Sequence, residues 1–203
     1  MTACQRQEAP TLLRRYASEV AEKYAKNRRA NPNFRFQWPQ REGTSLGAIA
    51  RQALHEMTSG RCSYCDAYPF QHVGPECIDH FRPKSRVEFY HLVCQWENLF
   101  LVCPACNHAK QDNWEATLLS PDEPDFDFAR YFLYHSDSGE LQPNPAALAT
   151  DQLRASDTIR IFDLNRAPAC FARRSAVKSM LRAMEEDILE FGYRFLLPLC
   201  RDV

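Results

Sequence analysis

The chain contains no apolar run approaching the ~18 consecutive residues that read as a transmembrane helix, so nothing in it is expected to span a membrane. Its first residues, Met1-Thr-Ala-Cys-Gln-Arg, form no charged-then-apolar leader, which points away from secretion and towards the cytoplasm. Internal repeats and low-complexity segments are both missing, which excludes solenoid architectures. Charge of neither sign dominates: 25 Lys and Arg stand against 26 Asp and Glu, for a formal net charge of −1. A protein that grips nucleic acid by itself commonly carries a basic surplus, so global charge argues against a free-standing DNA binder. No added sequence-reading module of recognisable type accompanies the rest.

What is present suits one compact domain with helical additions: 203 residues, 45% hydrophobic and 25% charged, with 13 Phe to fill a core. Nine cysteines is an odd number, and four of them form two Cys-x-x-Cys pairs, Cys62/Cys65 and Cys103/Cys106, with 37 residues between the pairs. Without a secretory leader this favours metal ligation in a reducing compartment over a disulfide framework. Four thiolates in two pairs match tetrahedral Zn²⁺, which would contribute to folding because thiolates bind it only when brought together. Cys4, Cys77, Cys94, Cys170 and Cys200 read as core or surface thiols. Lys and Arg cluster over 14–35 and 160–182, and acidic residues over 115–127; these blocks are either steering surfaces or solvated helix faces.

Leu12, Tyr16, Val20 and Tyr24 recur every four residues, which predicts an amphipathic helix over about 10–30, ended by Asn31-Pro32. An irregular aromatic stretch (Phe34, Phe36, Trp38) follows. Thr44 or Ser45 should cap a second helix carrying Leu46, Ile49, Ala53 and Met57, stopped at Ser59-Gly60. Cys77–Phe81 and Asn98–Val102 read as strands, and a helix should start after Cys103 with Pro104 in its first turn. An aromatic strand near 128–134, a Ser138-Gly139 turn and two helices over about 146–163 and 168–197 complete the expected order.

Between the cysteine pairs lies Asp79-His80, with Asn98 opening the second strand and Asn107 nine residues beyond it. Phosphodiester hydrolysis needs a base to deprotonate water and a cation to offset charge at the phosphate. A neutral His suits the first task, and a carboxylate with an amide oxygen suits Mg²⁺ or Mn²⁺. An isolated Asp-His dipeptide is more often structural; flanked by cysteine knuckles it is a sharper signal.

Asp79-His80-Phe-Arg-Pro-Lys84, Trp96-Glu-Asn98-Leu and Cys103-Pro-Ala-Cys106-Asn107-His-Ala-Lys110 resemble the HNH (ββα-metal) endonuclease signature in its zinc-knuckle variant, over about 55–120. The resemblance implies His80 as general base, Asp79 and Asn107 as ligands of a catalytic Mg²⁺ or Mn²⁺, and Asn98 as the residue that pins the loop positioning the base. The third signature position is Asn107 rather than His; its spacing from Asn98 favours it over His108. Arg82, Lys84 and Lys110 are candidate phosphate contacts, with ordinary surface cations as the alternative. More widely, Leu118-Leu119-Ser-Pro121, Gly139-Glu-Leu141, Leu164-Asn165-Arg166 and Arg173 are similar to PtuB-type proteins, the nuclease subunits of Septu and retron-associated anti-phage systems. That likeness implies a partner, an ABC-type ATPase (PtuA-like), and nucleic acid, with DNA expected, as substrate.

The expected fold is α+β, a helix-dominated single domain (1–203) around a ββα-metal core at 55–120 stapled by a Cys4 zinc site. A helical extension (1–54) would precede the core, and a hairpin and helices (121–203) would follow it. Arg174, Lys178 and Arg182 share a helix face suited to a partner or DNA, and the apolar Phe191, Tyr193, Phe195, Leu196 and Leu197 suggest a contact surface. Two alternatives stay open: a zinc-stabilised nucleic-acid- or protein-binding module without catalysis, and a nuclease that cuts RNA.

Overall fold

The computed structural model describes residues 1–69, 75–182 and 191–198. Helix α1 (Thr11–Ala30) buries Leu13, Ala17, Val20, Ala21 and Tyr24, whose three- and four-residue spacing makes one apolar stripe. Leu12 and Tyr16, expected within that stripe, sit half-buried on its shoulder. The helix stops at Asn31, held extended at φ −141° and ψ 103° because the following proline ring disfavours helical geometry there. The aromatic stretch leads into a short antiparallel hairpin, β1 (Gln40–Arg41) and β2 (Thr44–Ser45), which turns through Glu42 and Gly43 at positive φ. Helix α2 (Leu46–Thr58) starts at Ser45, whose hydroxyl accepts from the Ala48 amide, and ends where Ser59 and Gly60 both turn left-handed. That reversal carries the chain into the first cysteine pair.

Strand β3 (Cys77–His80) pairs antiparallel with β4 (Leu99–Val102), Asp79 opposite Phe100 and His80 opposite Leu99. All four β4 residues are fully buried. Helix α2 packs against β4 and helix α3 (Pro104–Lys110) against β3. Pro104 is tolerated at the start of α3, where its missing amide hydrogen has no partner to lose. The strand–strand–helix order expected around the cysteines is therefore present.

A one-turn helix α4 (Phe128–Tyr131) precedes β5 (Phe132–Tyr134), so the expected aromatic strand is shorter than anticipated. Strand β5 pairs with β6 (Leu141–Pro143) around a turn in which Gly139 takes φ +77°. A Cβ there would lie 2.3 Å from the Cys170 carbonyl oxygen, so the close docking of this turn requires glycine. Helices α5 (Ala149–Ile161) and α6 (Ala167–Met180) follow.

The single helix expected over 168–197 is not formed. Helix α6 ends at Met180, and Tyr193 adopts a left-handed conformation before a 3₁₀ turn at Arg194–Leu196. The apolar residues expected to face a partner lie largely inside: Tyr193, Phe195 and Leu196 are buried, and the Phe195 ring stacks on Phe128 at 4.3 Å. The acidic 115–127 stretch is also turned to internal use. Asp122 pairs with Arg6, Glu123 with Arg154 and Glu115 with Arg160. The result is a mixed α+β, helix-dominated domain carrying a four-cysteine cluster. No helix among the described residues is long and apolar enough to cross a membrane.

Candidate metal centre and the adjoining site

The two cysteine pairs meet as expected. The Sγ atoms of Cys62, Cys65, Cys103 and Cys106 all lie within 4.8 Å of one another, and all four residues are buried. A tetrahedron of ~2.3 Å metal–sulfur bonds has edges of about 3.8 Å, and the Cys65–Cys103 sulfur separation is 3.8 Å. The donor set and its closure fit a divalent ion. The backbone supports it: the Cys103 amide donates to Cys62 Sγ at 3.3 Å and the Cys106 amide to Cys103 Sγ at 3.5 Å.

Arg166 completes the centre. From the start of α6 its guanidinium donates to Cys106 Sγ at 3.7 Å, Cys65 Sγ at 3.8 Å and Cys103 Sγ at 4.0 Å. Burial acts against its charge, but the facing sulfurs outweigh that and raise its pKa above the ordinary value. A four-thiolate site holding a divalent ion carries two excess negative charges, which a guanidinium at this distance offsets. In the sequence Arg166 stands out as one of the basic residues of 160–182, at the joint between two helices and within a resemblance; no spacing rule ties it to cysteines 60 or more residues earlier.

Both knuckles also reach Asp79, which is 6% exposed. Tyr64, inside the first Cys-x-x-Cys, donates its hydroxyl to Asp79 Oδ2 at 2.6 Å, while its ring stacks on Phe162 at 3.8 Å. Lys110, at the end of the helix that the second pair opens, places its Nζ 3.1 Å from Asp79 Oδ2 and donates to the His80 carbonyl at 2.9 Å. Lys110 is 0% exposed. It was expected at a substrate phosphate; its ammonium instead neutralises the Asp79 carboxylate inside the protein. Tyr64 was not foreseen, although its place between two ligand cysteines was a usable signal.

His80 is held from the opposite side. Its Nε2 lies 2.9 Å from the Val93 carbonyl oxygen, which can only accept, so Nε2 carries the hydrogen and the neutral ring leaves its lone pair on Nδ1. Burial, reinforced by Lys84 and Lys110 and opposed by the Val93 bond, pushes its pKa down to about 3. The loop that delivers Val93 is fixed by Asn98. The Asn98 side chain accepts from the Arg82 amide at 2.8 Å and donates to the carbonyls of Arg82 at 3.1 Å and Leu92 at 3.2 Å. Tyr24 adds a hydrogen bond from α1 to the Lys84 carbonyl.

Lys84 is half-buried, and burial lowers its pKa while the Asp79 and Asp112 charges oppose that. Arg82 is exposed, its guanidinium 5.7 Å from the Trp114 ring centroid. Asn107 is half-buried on α3, three residues before Lys110 and so on the same helix face, while His108 is exposed. Among the described residues Asp79 joins no group of three or more His, Cys, Asp or Glu able to close on an ion. Cys4, Cys77, Cys94 and Cys170 stand outside the cluster, as expected; Cys200 and His72 lie outside the described residues.

No family model matches the chain. Among curated proteins it is similar to one described as "Septu protein PtuB" from Bacillus thuringiensis. The identity is 24% over 151 residues, 72% of this chain and 53% of that protein. The chain thus spans about half the length of the curated relative it matches. The likeness is partial and distant, and it stands beside a four-cysteine cluster able to hold a metal ion.

Proposed function

We propose that this protein is a zinc-stapled HNH endonuclease whose strand–strand–helix unit (β3, β4, α3) is a ββα-metal core. The observation that carries the reading is the state of His80: a neutral imidazole, oriented through Nε2 by a backbone carbonyl, with Nδ1 left to accept a proton and a carboxylate next in sequence. Its neutrality, tautomer and orientation suit a general base, while burial, which lowers its pKa to about 3, keeps it a weak one until the site opens. In this reading Zn²⁺ sits in the Cys4 cluster and stays structural, because a closed four-thiolate set leaves no position for substrate.

His80 takes the proton from the attacking water, Asn98 keeps the Val93 carbonyl on the imidazole, and Arg82 and Lys84 position the phosphates. A hard cation held by Asp79 and Asn107 would supply charge compensation at the scissile phosphate. Oxygen donors of this kind suit such an ion, but Tyr64 and Lys110 engage both Asp79 oxygens here, so they must yield or share the carboxylate. DNA is the substrate proposed, with RNA as the variant of the same reading. The PtuB likeness further suggests an effector role in anti-phage defence beside an ABC-type ATPase.

A second reading, a metal-stapled binding module without catalysis, is favoured by the ion pair that occupies Asp79 and by the burial of His80. Nicking of plasmid DNA with Mg²⁺ or Mn²⁺, alone and with a candidate ABC-type ATPase, separates the two. Cutting should appear and fall by about 10²- to 10⁴-fold in His80→Ala, the usual range for a lost general base. Absence of cutting of both DNA and RNA by folded, zinc-loaded protein in either setting would decide for the binding module.

A further inference from the structure

Phe34, Phe36 and Trp38 occupy alternate positions of the extended segment between α1 and β1, half-buried, with exposed Arg35 and Gln37 between them. Alternation of period two turns the three rings to one side. The Trp38 indole lies over the His80 imidazole with 6.2 Å between ring centroids and 19° between planes, and the Phe36 ring meets the same imidazole edge-on at 5.9 Å. Phe36 packs edge-on against Trp38 at 5.0 Å and Tyr24 at 5.5 Å.

Gly47, at the start of α2, makes room for this arrangement. A Cβ at that position would lie 2.4 Å from the Trp38 Cγ, so the indole is seated in a space that only glycine leaves. The segment is fastened at both ends: Arg28 donates to the Pro32 and Phe34 carbonyls, and the Leu46 amide to the Pro39 carbonyl. Beneath it, His80 is 4% exposed and its Nδ1 is buried with no hydrogen-bond partner. A histidine kept only for packing gains nothing from an unpaired buried ring nitrogen, which costs free energy. One that must receive a proton requires it.

We propose that Phe36 and Trp38 form a strap closed over His80, and that Trp38 is the residue gating access to Nδ1. The meaning of the gate for catalysis rests on the nuclease reading; the closure itself does not. While the strap is seated, no phosphodiester or attacking water comes within hydrogen-bond reach of Nδ1. Opening is a local displacement of residues 35–38 between their fixed ends, with α1, α2 and the metal centre intact.

The test is acylation of histidine by diethyl pyrocarbonate on zinc-loaded full-length protein, followed by peptide mass spectrometry, with exposed His108 as internal reference. Wild-type His80 should react at least about tenfold more slowly than His108, and Trp38→Ala and Gly47→Ala should each accelerate it at least about tenfold. Trp38→Phe should remain close to wild type. Gly47→Ala keeps every strap side chain and replaces a helix glycine by a better helix former, so it carries the test if Trp38→Ala does not fold. Equal reactivity of His80 and His108 in the wild type, or no acceleration in folded Gly47→Ala, overturns the strap. Plasmid nicking with Mn²⁺ runs in parallel. Faster acylation with faster cutting supports strap and nuclease together. Faster acylation without cutting supports the strap and removes the nuclease reading. Wild-type cutting as fast as in Gly47→Ala, with His80 equally reactive in both, overturns the strap and keeps the nuclease.

Discussion

Asp79 is held by a tyrosine from one cysteine knuckle and a lysine from the helix behind the other, so the carboxylate reports on whether both knuckles are in place. Its pairing with Lys110 is buried, and breaking such a pair from one side leaves an uncompensated charge in a region of low polarity. Lys110→Met should therefore lower stability by about 3–5 kcal/mol, read by urea unfolding of metal-loaded protein; a loss within experimental error would mean that water reaches Asp79. Asn98 satisfies three backbone groups of the 82–92 loop. Asn98→Ala should cost about 1–3 kcal/mol through the donors and acceptors it leaves unpaired, and in a nicking assay it should lower turnover by misplacing the Val93 carbonyl. Arg166 bears on the four-cysteine cluster and not on the loop. Arg166→Ala should weaken metal retention by about 10- to 100-fold, as loss of an outer-shell partner commonly does. Competition with a chromophoric zinc chelator measures this, and Arg166→Lys should recover part of it.

At the scale of elements, the four cysteines join the end of α2, the end of β4 and the start of α3, and Arg166 adds α6. Structural zinc contributes on the order of 10 kcal/mol of apparent binding free energy in small domains, comparable to the whole stability of a typical domain, about 5–15 kcal/mol. Chelation, or Cys103→Ser, should accordingly abolish the cooperative thermal transition, with re-added Zn²⁺ restoring it after chelation only. Persistence of an unchanged transition in metal-free protein would show that the apolar core suffices. The C-terminal helices are secured separately. Arg173, almost fully buried, donates to the carbonyls of Gly139 and Leu164 at 2.7 and 2.8 Å, and the Asn165 amide bonds both backbone groups of Leu141. The Leu164-Asn165-Arg166 run between the last two helices is thus the joint at which hairpin, helix and four-cysteine cluster meet.

For the whole molecule, charge is near neutral, and Arg6, Arg154 and Arg160 are taken up by acids of the 115–127 stretch, which weakens attraction to a polyanion. Lys110 is buried against Asp79, so Arg82 and Lys84 remain as the proposed phosphate contacts of the site. The isolated chain should bind a short duplex weakly, with a log K against log salt slope of about −2, near −0.9 per neutralised phosphate. Fluorescence anisotropy across a salt series checks this, and a slope steeper than about −5 would mean that the basic residues of α1 or α6 also engage the backbone. A binding partner is the natural source of further affinity, which agrees with the ATPase proposed above.

The amino-acid sequence alone determined the features that depend on spacing and on local chemistry. Two Cys-x-x-Cys pairs announced the metal site because ligands within a pair are neighbours in the chain. Four-residue periodicity announced α1, and Asn31-Pro32 and Ser59-Gly60 marked where helices end, because backbone sterics act within a few residues. Tertiary structure alone decided which charges are exposed. Lys110 and Arg82 look alike as cations in a motif, yet one is sealed against Asp79 and the other faces solvent, a difference set by what packs over each. It also decided that Tyr64 and Arg166 belong to the site and that Trp38 covers His80. Those contacts join residues some 15 to 100 positions apart, and no local rule relates residues at such separations.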